Sequence, residues 1–578
     1  MKILKVCVLI IFSMLVSCNS GSEKCKNSSQ ELKTLIQSYE EREAYDKEKY
    51  PLGIYTRAFY KADAEYAESQ LLSFECIKIA ELSETEQISA KLLKFVLQDQ
   101  IDYYKFEQFL NPLLSDSGFH SSLNYEIRPI YNYHDAKRYL SKLNSLPEFV
   151  AQNFVNLREG LAKGVSQPKV IFTGYESTYN DHIVADFKES PFYKPFKNLP
   201  STFTNQQKDS ILTAAKEAIE NTVIPQFQKI KTFFETEYLP KTRISLGVSE
   251  TPNGAAFYQN RINFYTTSTK YTADAIHQLG LKEVARIKAE MQTIITDLNF
   301  EGSFSDFLQF LRTDEQFYAK SPKELLMIAR DMAKRADAQL PKFFKTLPRK
   351  PYGVAPVPDA IAPKYTSGRY VGTSKNSTEP GYYWVNTYDL PSRTLYTLPS
   401  LTVHEAVPGH HLQGSLNNEL GDSIPQFRRD LYLSAYGEGW GLYSEFLADE
   451  MGMYTTPYEQ FGKYTYEMWR ACRLVVDTGI HAKGWSREQV VNYMSENTAL
   501  SLHEINTETD RYISWPGQAL SYKIGELKIR ELRKKAEKEL QVNFDISAFH
   551  EVVLEQGTVT LAILEERINN YIQKTKNE

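Results

Sequence analysis

The chain has 578 residues, of which 42% are hydrophobic, 24% charged and 13% aromatic, a balance that supports a substantial folded core and excludes disordered or collagen-like chains. Its 67 Lys and Arg residues face 72 Asp and Glu, a net charge of −5, and no basic run interrupts it, so nucleic acid is not an expected partner. Five cysteines, Cys7, Cys18, Cys25, Cys76 and Cys472, are too scattered for a disulfide framework or a cysteine zinc site.

Residues 1–17 read as a secretory leader. Lys2 and Lys5 precede an apolar run from Val6 to Val16 that is too short to span a bilayer. The ending Leu15-Val16-Ser17-Cys18 resembles the bacterial lipobox, which implies cleavage before Cys18, lipidation of its thiol, and a body anchored to a bacterial membrane and facing periplasm or exterior. Residues 18–29 are small and polar, as a flexible tether requires. Residues 30–240 form an N-terminal region of helical periodicity, in which Ala90, Leu93 and Leu97 recur at three and then four residues.

Residues 241–578 are read as the catalytic region. Arg243 to Ser268 carries β-branched and aromatic residues with Pro252-Asn253-Gly254 as turn punctuation, which predicts short strands. Thr272–Leu298 and Pro322–Leu340 return to helix, Pro341–Lys364 is a Pro-rich irregular connection, and Gly381–Asn386 predicts a strand. From Leu398 onward the pattern is helical, and no repeat of solenoid length is present.

Three of the ten histidines fall within eight residues, in His404-Glu405-Ala406-Val407-Pro408-Gly409-His410-His411. A zinc hydrolase needs imidazole and carboxylate ligands, an open coordination position, and a second carboxylate to take the proton from water. His404 and Glu405 supply a ligand and a base. The usual second histidine, four residues on, is replaced by Pro408. Pro408 and Gly409 allow a kink or bulge that returns a later histidine to the metal. An undistorted helix favours His411 and a two-residue bulge favours His410; the Gly409-His410 pair resembles the Gly-His that closes the motif in several zinc peptidases, which implies His410, with His411 as the alternative. Glu438 opens a second helix as the third ligand, and Glu445, seven residues on, or Asp449 orients a ligating histidine.

These strings, with Glu438-Gly439-Trp440-Gly441-Leu442-Tyr443 and Pro516-Gly517-Gln518-Ala519-Leu520-Ser521-Tyr522-Lys523-Ile524-Gly525, resemble the signature blocks of the bacterial domain-of-unknown-function family 885. That family resembles helical zinc metallopeptidases of the thimet-oligopeptidase and Taq-carboxypeptidase type. The resemblance implies a mainly α fold, a large helical body with a deep groove and a small antiparallel sheet beside the active site. It also implies zinc held by His404, His410 and Glu438, with Glu405 as base. In this peptidase type a tyrosine or histidine donates to the oxyanion, and Tyr522 and His481 are the candidates. Arg511 or Arg473 offers a fork for a substrate carboxylate, and the strand bearing Tyr383 offers pairing to an extended peptide. Arg473, Asp477 and His481 also fit an ion pair and a histidine on a solvated helical face.

The expected activity is therefore metal-dependent hydrolysis of a peptide. An amidase acting on cell-wall or other non-peptide amides would use the same ligands. A non-enzymatic surface lipoprotein that captures oligosaccharide or peptide is the reading from another class.

Overall fold

A computed structural model describes residues 27–359, 361–373 and 377–578; the leader and the proposed lipidation residue Cys18 lie outside them. The fold is mainly helical with one small sheet. The helices that build the site are labelled α1 (Leu398–Glu405), α2 (His410–Glu419), α3 (Ser434–Leu447), α4 (Pro457–Lys483), α5 (Leu502–Ser514) and α6 (Ser521–Leu540). Among the described residues no helix is long and apolar enough to cross a membrane.

The hydrophobic interior does not divide near residue 240. One cluster joins Leu113, Phe149 and Phe227 to Tyr383, Trp469 and Tyr512. Another joins Leu32, Leu93 and Leu97 from the first helices to Trp440, Ile529 and Leu564 from the last. The first described helices are thus packed against the last, and the site helices are held between.

At the centre runs α4. Thr456 and Glu459 form a capping box at its start, Pro457 fills the first turn, and Gly484, at φ 69°, ends it. Behind the site, Lys523 of α6 is fully buried. Its Nζ meets Glu467 of α4 at 2.7 Å, Glu526 at 2.8 Å and Glu283 of the helix Ala273–Asp297 at 3.3 Å. A buried ammonium needs such partners, and here they fix three helices in one register.

Two expectations are corrected. Gly254–Tyr265 is a helix, not strands. Tyr258 and Ile262, four residues apart, pack on Leu474 and Ile524, so burial of one helical stripe overrides the local β preference of their neighbours. The sheet is mixed, not antiparallel. Its order is β1 (Tyr352–Pro356), β3 (Gly381–Val385), β2 (Gly368–Val371), with β1 parallel and β2 antiparallel to β3. β1 lies within the stretch read as irregular because of its prolines; as an edge strand it tolerates Pro356 at its end.

Several buried histidines are held neutral. The Nδ1–H of His550 donates to the Phe343 carbonyl at 2.9 Å, so its Nε2 accepts from the Tyr443 hydroxyl at 2.8 Å. Burial pushes its pKa down to about 3, that of His120 to about 3 and that of His182 to about 4. The unfolded chain, at about 6.5, takes up these protons first. Their contribution to stability is complete above about pH 6.5 and is lost as pH falls toward 3 to 4, on the order of 1.4 kcal/mol per pH unit for each histidine. Urea unfolding at about pH 7.5, 5.5 and 4.5 should show a steadily falling midpoint. A constant midpoint would contradict the neutral assignment.

Candidate metal centre

Helix α1 ends in His404 and Glu405, both buried. The chain leaves helical geometry at Ala406 (φ −90°, ψ −106°), passes a cis Val407–Pro408 bond, and restarts as α2 at His410. The motif therefore spans two helices, not one kinked helix. Gly409 makes the return possible. Its N–H donates to the Val403 carbonyl at 2.9 Å, and a Cβ there would stand 1.8 Å from the His404 carbonyl oxygen. The turn brings His410, not His411, beside His404, with ring centroids 4.8 Å apart and planes at 84°.

Glu438 completes the group from α3. It sits in the second turn rather than at the helix start, because α3 begins at Ser434. Its Oε2 lies 3.4 Å from His404 Nε2 and 3.3 Å from His410 Nε2, and the three donor atoms all lie within 4.8 Å of one another. Its Oε1 accepts from the Tyr432 hydroxyl at 2.9 Å. Two turns along α3, Glu445 Oε1 is 2.7 Å from His404 Nδ1, so one imidazole is held between two carboxylates of one helix. Gly441 lies between them, and a Cβ there would come within 2.7 Å of His404 Nε2. Trp440 Nε1 donates to the Pro408 carbonyl at 2.8 Å, tying α3 to the turn. A Cβ on Gly439 would stand 2.6 Å from Gly525 Cα, so both glycines are needed where α3 meets α6. Asp449 pairs with Lys463 and Gln460 instead of a histidine.

This donor set fits a zinc ion. Four ligands at zinc bond lengths of about 2.1 Å in tetrahedral array have donors roughly 3.4 Å apart, and two of the three separations match. Three such ligands would leave one position open, as catalytic sites do. Burial works against a charge on His404, but Glu438 and Glu445 outweigh it and raise its pKa to about 10. Burial likewise opposes the Glu438 charge, yet His410 and His404 hold its carboxyl well below the usual range.

Glu405 Oε2 accepts the backbone N–H of Tyr370 at 2.7 Å, which fixes β2 against the end of α1. His411 faces away from Glu438 and secures the same sheet. Its ring bonds the Lys350 backbone, its Nδ1 meets the Tyr370 hydroxyl at 3.1 Å, and it packs on Tyr352. Burial lowers its pKa to about 4. The two adjacent histidines thus have separate surroundings, and the alternative placement of His411 beside His404 and Glu438 is corrected.

Other candidates divide as sharply. Tyr522 is half-buried, with its hydroxyl bonded by Arg511 and the Arg473 guanidinium 4.6 Å from its ring. Arg511 also bonds Gln518 at 2.9 Å and pairs with Glu508. Arg473 is buried, with Nε on Tyr512 and Nη2 on Glu508, both at 2.8 Å, so it supports Tyr522 rather than receiving a substrate carboxylate. His481 is fully buried. Its Nε2–H donates to the Tyr512 carbonyl at 2.9 Å and its Nδ1 accepts from Val248 N–H at 3.3 Å, which leaves no donor for an oxyanion. Nor is its helical face solvated, for Asp477 is buried too and binds Tyr258 and the Gly517 amide. Tyr383 is fully buried on the central strand, so neither it nor that strand is open to a peptide.

The sequence reading missed Tyr432, Arg470 and Arg369. Tyr432 precedes α3 with no motif to mark it. Arg470 Nη2 stands 4.0 Å from Glu445 Oε1, and its place on the face of Arg473 offered a signal. Arg369 of β2 is exposed; the cost of its partial desolvation is outweighed by Tyr365, Glu405 and Glu438, which raise its pKa.

Residues 42–568 match the family model described as bacterial protein of unknown function (DUF885). The chain belongs to that family. Two solved structures share the DUF885 chain's architecture. A protein of Colwellia psychrerythraea, described as a "putative lipoprotein", is 28% identical with a TM-score of 0.86 over 95% of this chain and 100% of its own. A second of the same description and of unknown function, from Shewanella oneidensis, is 17% identical with a TM-score of 0.68 over 94% and 99%, a likeness of fold alone. No curated protein matches the DUF885 chain significantly.

The contact of His404 with α3 is directly testable. Gly441→Ala places a methyl against the imidazole and should cost about 1–3 kcal/mol by overpacking, read from urea unfolding. An unchanged midpoint would mean that the ring is free to move off α3.

Proposed function

We propose that this protein is a zinc-dependent hydrolase that cleaves peptide bonds and is held in the cell envelope by a lipidated Cys18. The observation that carries the reading is the convergence of His404 Nε2 and His410 Nε2 on Glu438 Oε2 at 3.4 and 3.3 Å, with Glu405 adjacent. A bound zinc ion would polarise the scissile carbonyl and lower the pKa of water to about 7. His404, His410 and Glu438 would hold the ion, and Glu445 would fix the His404 tautomer and ring orientation through Nδ1.

Glu405 takes the proton from the attacking water and passes it to the leaving amine. Tyr522, oriented by Arg511, donates to the developing oxyanion. The outer edge of β2, whose Tyr370 amide already meets Glu405, is the strand against which an extended peptide pairs. The lipobox-like sequence and the two lipoprotein-described neighbours support the envelope location.

Elemental analysis should find about one zinc per chain, retained in Glu405→Gln and His411→Ala and lost in His404→Ala and His410→Ala. Glu405→Gln should abolish turnover of a peptide library. Glu445→Gln should bind zinc about 10–100-fold more weakly. A wild-type protein that takes up no supplied zinc would overturn the hydrolase and leave substrate capture as the reading.

A further inference from the structure

A partly enclosed cavity of about 280 Å³ lies beside α1. Its walls are mainly apolar, formed by Leu398 and Leu401 of α1, Val385 of β3, Tyr396, Tyr466 of α4 and Leu500. Leu502, 61% exposed, stands at its rim. Three charged residues border it. The Arg312 guanidinium is committed to the carbonyls of Leu500, Ser495 and Thr498 at 3.2, 3.4 and 2.7 Å. Arg393 bonds the Tyr388 carbonyl at 3.3 Å and Ser367 Oγ at 3.2 Å, and burial with the neighbouring Glu508 pushes the Glu504 carboxyl up to about 7, which weakens its charge at neutral pH. An occupant gains chiefly by burying apolar surface. At about 30 Å³ per water the space equals roughly nine waters, and an apolar protein cavity of about 150 Å³ already accepts a benzene ring.

Three elements tie this cavity to the metal centre. On α1, Leu401 precedes His404 and Glu405 by three and four residues, roughly 4.5 to 6 Å along the axis. Beside β2, Ser367 borders the cavity and Tyr370, three residues on, donates to Glu405. On α4, Tyr466 lines the cavity and Arg470, one turn on, stands 4.0 Å from the Glu445 oxygen that holds His404. Each element carries a wall residue and, one short step further, a residue of the centre.

We infer that this cavity receives an aromatic or similarly bulky apolar side chain, that of the substrate residue next to the bond cleaved, and so sets the selectivity of the enzyme. The inference rests on the hydrolase reading for its context, but occupancy of the pocket is measurable without turnover.

Titration of the full chain with N-acetyl-phenylalanine amide and N-acetyl-alanine amide, by ligand-observed NMR with and without zinc, should favour the phenylalanine ligand by at least about 10-fold. Ala499→Trp, which fills the cavity from its wall, should remove that preference. It should also cut the phenylalanine-to-alanine ratio of kcat/KM in matched peptides by about 10-fold or more. Equal binding of the two amides to wild type overturns the pocket whether or not the variant folds. So does phenylalanine-selective binding that survives in folded Ala499→Trp. Selective binding without zinc uptake or turnover keeps the pocket and overturns the hydrolase, whereas turnover without side-chain preference does the reverse.

Discussion

The structure depends on one clamp, the His404 imidazole held at Nε2 by Glu438 and at Nδ1 by Glu445. The two carboxylates are seven residues apart on α3, about 10 Å along its axis, so the ring must lie lengthwise against the helix. That is possible only where no side chain intervenes, at Gly441. The same demand explains the turn after α1. To place a second histidine on the open side of Glu438, the chain must fold back across the His404 carbonyl, and Gly409 leaves room for it. The two signature strings are thus halves of one contact, joined again by Trp440 bonding to Pro408.

The helical body follows from periodicity, and the residues that meet around His404 stand in two recognisable strings, although the spacing of the first left His410 and His411 as alternatives. The form of the helix break was not legible, because proline and glycine announce an interruption without saying whether one helix bends or two helices meet. The strand content failed for two different reasons. Prolines disguised β1, whose edge position makes them harmless, and the aromatic residues of Gly254–Tyr265 suggested strands where packing on Leu474 and Ile524 selects a helix.

The roles of Tyr432 and Arg369 were beyond reach for a further reason. Arg369 approaches the carboxylates from β2, far along the chain from Glu438, and nothing in a short window records that; Tyr432 lies only six residues before Glu438 but carries no motif that marks its bond. Tyr370 reaches Glu405 through its backbone amide, a contact for which residue type carries almost no information. His411 shows the opposite hazard. Its chemistry suits a metal, yet its ring is committed to the Lys350 backbone and the Tyr370 hydroxyl, so its identity serves the sheet.

What separates a structural polar group from a candidate functional one here is access, not residue type. The face of α4 bearing Arg473, Asp477 and His481 looks reactive in sequence, but all three are buried: Asp477 and His481 meet fitting partners, and Arg473 is bonded through Nε and Nη2 while its Nη1 has none. The group around His404 is arranged otherwise. Glu405, Glu438 and Glu445 crowd the ends of His404, while His410 and Glu438 remain 17% and 16% exposed. Concentrated negative charge around imidazoles, open on one side, is the arrangement on which the proposed zinc site rests.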